Sequence, residues 1–281
     1  MPPWITAALL NRDRKLRNGW WVAAFMGILT LLLLAAILVS AQMGHEITML
    51  EQAGLIAVAT VLVQLLRRMS VWDVTGRPNL RWLKHLGLGI ALGAALMATP
   101  TLFLSLGWIR WELASPDPTA LWSAVLLMAT VALAEELLFR GLVFQRLIDG
   151  VGLWPAQVII SVFFVLTHMG NPNIEGATRL WAGANIFLAS IVFGLAYVRT
   201  RSLALPIGLH FMANVTQGVV FGFGVSGSSE PSLLIPHLPA GMDWLTGGAF
   251  GLEASLPGLV AVAVLLAALL WERRRAAADA A

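Results

Sequence analysis

Apolar residues fall along this chain in blocks of about twenty, the length an α-helix needs to cross a hydrocarbon core. Short stretches rich in charge, glycine or proline separate the blocks. Eight spans are expected, at residues 20–42, 47–66, 85–106, 120–147, 153–169, 180–198, 203–222 and 255–271. The pattern predicts an all-α fold: a polytopic transmembrane helix bundle of about eight spans, with the lipid bilayer as its surroundings. The first block ends in Val39-Ser40-Ala41, which also suits a cleaved signal. Its apolar run from Trp20 to Val39 exceeds the core of about 7–15 residues in such a signal, so a retained anchor is expected.

Lysine and arginine orient the bundle, because they accumulate in cytoplasmic loops. With the amino terminus inside, the inner segments hold Arg12, Arg14, Lys15 and Arg17, then Arg67, Arg68, Arg77, Arg81 and Lys84, then Arg146, then Arg199 and Arg201, then Arg273, Arg274 and Arg275. The outer segments hold only Arg110 and Arg179. Both termini are therefore expected to be cytoplasmic. The long segment from Phe223 to Ala254 has no lysine or arginine, and its Gly, Ser and Pro content predicts an irregular extracytoplasmic loop.

Composition narrows the function. Of 281 residues, 58% are hydrophobic and 12% charged, against about 25% charged in an average soluble domain; a water-soluble fold is excluded. There is no cysteine, which removes disulfides, cysteine-ligated metal and a thiol nucleophile. The net charge of +3 sits in short clusters beside apolar runs, so it is read as a topology determinant and no nucleic-acid partner is expected. Gly89 and Gly93 form a GxxxG pair that marks close helix packing, and the twelve tryptophans, several near span ends, fit an interfacial belt.

Three spans carry polar groups that an apolar helix tolerates poorly. The fourth contains Glu135, Glu136 and Arg140, each costing about 2.5–3.5 kcal/mol at a bilayer centre, so they are expected to face the bundle interior. Glu136 and Arg140 are i, i+4 neighbours and can pair. Glu135 points about 100° away from Glu136, which leaves it the less compensated carboxylate and the better proton acceptor and donor. The fifth span runs from Phe164 to His168 just before Gly170 and Pro172, which stop the helix. The seventh carries His210 and Asn214 on one face, two polar donors of the kind a developing oxyanion requires. Counted along ideal helices, the three sites lie at different depths, about 18, 22 and 10 Å from the cytoplasmic ends for Glu135, His168 and His210, so they meet only if helices tilt or break. His45-Glu46 lacks the second histidine of HExxH, and Gly224-Val225-Ser226 lacks the final glycine of GxSxG, so neither a zincin nor a nucleophile-elbow hydrolase is supported.

In this order, EExxxR (Glu135, Glu136, Arg140), FxxxH (Phe164, His168) and HxxxN (His210, Asn214) resemble the CAAX protease and bacteriocin-processing family, also called CPBP or Abi, which includes type II CAAX prenyl proteases. Each motif alone is weak; the three in order on separate predicted spans are specific. The resemblance covers about residues 120–220, and His168 to Asn173 is similar to the usual bacterial form of the second motif. It implies an integral protein of the bacterial inner membrane that acts as an intramembrane endopeptidase on a membrane-associated protein or peptide substrate. Glu135 and His168 would activate a water, His210 and Asn214 would stabilise the oxyanion, and Glu136, Arg140 and Phe164 would support the site. Residues 1–119 would be scaffold helices, 120–222 the catalytic core, and 223–281 an extracytoplasmic loop with a final helix, all in one structural unit. No cofactor is expected. Zinc stays open, with Glu135, His168 and His210 as the ligands if the site depends on metal. Two other readings of the same residues are a noncatalytic membrane peptide-binding or immunity protein and a proton-coupled transporter. A transporter's relay predicts polar groups spread across the membrane's depth, and a peptidase predicts one compact cluster.

Overall fold

The computed structural model describes residue 6, residues 8–11 and residues 14–279; Arg12 lies outside them. The protein is a helical bundle: α1 (Asn18–Met43), α2 (Met49–Leu66), α3 (Leu80–Ser105), α4 (Pro118–Phe139), α5 (Leu142–Val151), α6 (Leu153–His168), α7 (Gly176–Thr200), α8 (Ala204–Asn214) and α9 (Leu256–Ala278). Polar caps set where several of these begin. Thr48 and Glu51 form a reciprocal capping box on α2, Asn79 accepts from Trp82 N at the start of α3, and Ser255 accepts from Gly258 N at the start of α9. Each cap satisfies backbone N–H groups that the first helical turn leaves without partners.

Among the described residues, six helical segments are long and apolar enough to cross a membrane, and they include Pro118–Val151, where α4 and α5 follow one another. Of about eight expected spans, six are thus full-length segments and one is a shorter apolar helix. The fifth expected span is α6, with 16 residues. The seventh is α8, with 11 residues, continued by a π-helical turn at Val215–Val220. The fourth expected span is also interrupted, since α4 ends at Phe139 and the chain turns at Arg140 and Gly141 before α5. The fifth span thus keeps its expected bounds, and the two interruptions, in the fourth and seventh, fall at the polar motifs. Side chains there converge from different helices, and regular backbone gives way.

The bundle has two distinguishable ends. One carries the arginine-rich turns at 67–79 and 201–203. The other carries a two-stranded antiparallel sheet, β1 (Arg110–Leu113) with β2 (Leu234–His237), in which Trp111 faces Pro236 and Glu112 faces Ile235. The loop expected to be irregular thus contributes a strand, as well as a helical turn at Asp243–Thr246.

Helix α8 lies at the centre, with eight of its residues buried, and is held against α3 by small residues. A Cβ on Gly89 would sit 2.3 Å from the Leu205 carbonyl oxygen, and one on Gly93 would sit 2.2 Å from that of Leu209. From the other side, Gly208 meets the Leu86 carbonyl in the same way. This backbone-to-backbone approach is the packing expected of the GxxxG pair. It fixes the position of His210, two residues after Gly208.

Candidate active site

Arg140 is fully buried, and the groups around it come from three helices. Its Nη1 donates to Glu136 Oε1 at 3.2 Å. Its Nη2 donates to the carbonyl oxygen of Ser190 at 3.1 Å and to Ser190 Oγ at 2.9 Å. The guanidinium carbon lies 4.7 Å from the Phe164 ring centre and 5.0 Å from that of Phe193. A desolvated cation gains most from such aromatic faces and charged partners because water no longer competes. Arg140 thereby ties α4, α6 and α7 together although it sits just past the end of α4.

Glu136 is equally buried. Its Oε1 accepts from Arg140 and also from His210 Nδ1, at 3.0 Å. A carboxylate only accepts, so Nδ1 carries the proton and Nε2 is turned to the other side of the ring. Phe193 stacks on that imidazole with ring centres 4.9 Å apart and planes 16° from parallel, which holds its orientation. His168 is fixed by the same logic. Its Nδ1 lies 2.7 Å from the carbonyl oxygen of Phe164, again an acceptor, and its ring packs 4.5 Å from the Phe164 ring.

Both free nitrogens face Glu135. His168 Nε2 lies 3.9 Å from Glu135 Oε1, and His210 Nε2 lies 3.9 Å from Glu135 Oε2. These separations exceed a direct hydrogen bond, and Oε2 is buried without a hydrogen-bond partner among the described residues. Glu135 is the more open of the two carboxylates, with its side chain 21% exposed against 0% for Glu136. Asn214, one turn beyond His210, lines the same space. The residues expected at three different depths meet because α6 and α8 are short and the chain breaks beside them.

The meeting point is a cavity of ≈ 520 Å³ whose walls include Glu135, His168, His210 and Asn214. Its remaining wall comes from parts of the chain outside the three motifs: Met49 and Gln52 of α2, Leu96 and Met97 of α3, and Ser226, Ser228, Glu230 and Glu253 from the long loop. These place it between the middle of the bundle and the sheet end. The loop is anchored there. Asn171 Nδ2 donates to the Ser226 carbonyl at 3.1 Å, and Asn173 Nδ2 to that of Gly227 at 2.9 Å. The Ser226 backbone N–H donates to Glu253 Oε2 at 2.5 Å. Burial pushes Glu253 above the ordinary carboxylate range, against the pull of the Ser226 hydrogen bonds, and burial also raises Glu230.

Ser190, Phe193, Asn185, Glu230 and Glu253 escaped the reading of the sequence. Ser190 and Phe193 look ordinary in a helix interior. Asn185 did carry a signal, as an amide inside an apolar run. Glu230 and Glu253 lie far along the chain in a segment with no motif.

Zinc at catalytic sites takes ligands at about 2.0–2.2 Å in near-tetrahedral array. Here each imidazole addresses a different oxygen of Glu135. Among the described residues no group of three histidine, cysteine or acidic side chains is placed to hold a metal ion.

Residues 117–216 match the family model described as Type II CAAX prenyl endopeptidase Rce1-like. A curated relative is the "Uncharacterized 24.3 kDa protein" of Escherichia coli, 29% identical over 177 residues, which cover 58% of this chain and 78% of that protein. The matched segment contains all three motifs, from Glu135 to Asn214, and over residues 117–216 the chain is similar to that family of type II CAAX prenyl endopeptidases.

Proposed function

We propose that the protein is an intramembrane endopeptidase that hydrolyses a peptide bond of a membrane-associated substrate with a water activated by Glu135 and His168. The observation that carries this reading is the convergence of the Glu135 carboxylate with two imidazoles, 3.9 Å from each, inside one cavity. Polar groups gathered at one point favour a chemical site over a relay, which needs them spaced across the membrane.

The hydrogen bonds of the two imidazoles support this division of roles. With its Nδ1–H committed to the Phe164 carbonyl, neutral His168 offers a lone pair at Nε2. A water between that nitrogen and Glu135 donates one hydrogen to each and keeps its own lone pair for attack. Glu135 then takes the proton as the water oxygen bonds to the scissile carbon. The carbonyl oxygen becomes an oxyanion that accepts from Asn214 Nδ2–H and from His210 Nε2–H. His210 makes this donation as imidazolium, its Nδ1–H held by Glu136. Collapse of the tetrahedral intermediate breaks the C–N bond, and the proton on Glu135 passes to the leaving amine. No covalent acyl-enzyme forms, and no metal is required.

The test is purified full-length protein assayed on a quenched fluorescent peptide. Glu135→Gln abolishes cleavage while binding persists. Undiminished cleavage by Glu135→Gln, with the substitution verified by mass, sinks the mechanism.

A further inference from the structure

The walls of the cavity carry three carboxylates, Glu135, Glu230 and Glu253, and two histidines, but no lysine or arginine. Arg140 does not line it; that guanidinium is committed to Glu136 and Ser190. Glu253 is fixed in the wall by Ser226, whose backbone N–H and Oγ donate to both of its oxygens, and makes no ion pair with a lysine or arginine among the described residues. Glu230 is half-buried and makes no hydrogen bond or ion pair among the described residues. Acidic residues alone do not make a site, but a second feature of the same cavity points to a ligand. Asn185 is 2% exposed and lines the cavity, and its Nδ2 has no hydrogen-bond partner among the described residues. A buried amide donor without a partner is costly, and a peptide carbonyl in the cavity satisfies it.

We propose that this cavity selects a peptide segment bearing a cationic group, a Lys or Arg side chain or a free amino group, which pairs with Glu230 in the field of Glu253 while Asn185 donates to a backbone carbonyl of the same segment. The inference rests on the peptidase reading of the site and adds the substrate's charge to it. Attraction between opposite charges strengthens as water is excluded, and like-charge juxtaposition rejects the wrong partner. The apolar walls, with Met49, Met97 and Met128, accommodate varied neighbouring side chains because methionine is flexible and polarisable.

The experiment uses full-length protein in detergent and capped, quenched fluorescent peptides of one apolar sequence. The peptides carry Lys, norleucine or Glu at a single position that is moved along the chain. At the favoured position kcat/KM is expected to rank Lys above norleucine above Glu, with Lys over Glu by roughly tenfold or more, which is about 1.4 kcal/mol per tenfold. In Glu230→Gln or Glu253→Gln this ratio falls toward one. No preference for Lys at any position, or a ratio unchanged in both variants, overturns the proposal. If the wild-type protein cleaves none of the peptides, their binding to Glu135→Gln protein is read by fluorescence anisotropy. Tighter binding of the Lys peptide, lost in the double variant with Glu230→Gln, then upholds the charge selection while the peptidase reading fails. Equal binding of all three overturns the charge selection as well.

Discussion

Glu136 Oε1 lies 3.0 Å from His210 Nδ1 while it also accepts from Arg140 at 3.2 Å. The carboxylate that helical spacing pairs with Arg140 is thus also the group that sets which nitrogen of His210 faces Glu135. One buried acid joins the first motif to the third, and neighbouring carboxylates in the chain end in different environments.

That division separates stability from chemistry. Arg140→Ala leaves Glu136 buried without its cation and frees Ser190 and the faces of Phe164 and Phe193. Breaking a buried pair costs about 3–5 kcal/mol, so the amount of folded protein recovered from membranes should fall sharply. Glu135→Gln should leave it nearly unchanged. Equal loss in the two variants, measured by fluorescence-detected size exclusion, refutes the division.

The oxyanion roles predict graded losses. Asn214→Ala should lower kcat by about 10²- to 10³-fold with a smaller change in KM, as expected when one donor to a developing oxyanion is removed. A loss confined to KM would assign Asn214 to substrate binding instead.

Packing of α8 on α3 positions His210, so a bulky residue at the contact should disrupt both. Gly93→Val places a Cβ into the Leu209 carbonyl, and overpacking of this kind costs about 1–3 kcal/mol. Lower melting temperature with Gly93→Val, against little change with Gly27→Val, where a Cβ meets nothing within 4 Å, is the expected pair of results. Equal melting temperatures would show that the close approach is dispensable.

The charge bias predicts that reporter fusions after Gly76 and Ala278 both report the cytoplasm, with Ser228 on the opposite face. The cavity lined by Glu135 and the two histidines would then open toward the extracytoplasmic half of the bundle. A Ser228 fusion on the same side as Gly76 would reverse that assignment.

A water-activating mechanism predicts that activity survives prolonged incubation with a strong chelator and that purified protein holds far less than one zinc per chain. Stoichiometric zinc, together with activity lost on chelation and restored by added metal, would replace it with a metal-dependent mechanism on the same residues.

The sequence by itself was enough to determine the helical membrane architecture and to single out Glu135, Glu136, Arg140, His168, His210 and Asn214. Both follow from local cost: twenty apolar residues have one stable conformation in a bilayer, and an ionisable group among them is conspicuous because it is expensive. The Glu136–Arg140 pair was readable for the same reason, since i, i+4 neighbours meet wherever the helix goes. Tertiary structure alone decided the rest. Helix α4 stops at Phe139 and α8 gives way to a π-helical turn after Asn214 where side chains from separate helices bond at one point, and no window of sequence contains those partners. Ser190 and Phe193 belong to the site only through Arg140 and His210, which lie far away in the chain. The loop from Phe223 to Ala254 carries no periodicity, and its place in the cavity depends on Asn171, Asn173 and Ser226 meeting across the fold. Chemistry that a residue carries in its own side chain shows in its neighbours along the chain, whereas a wall built from distant segments exists only once the chain has folded.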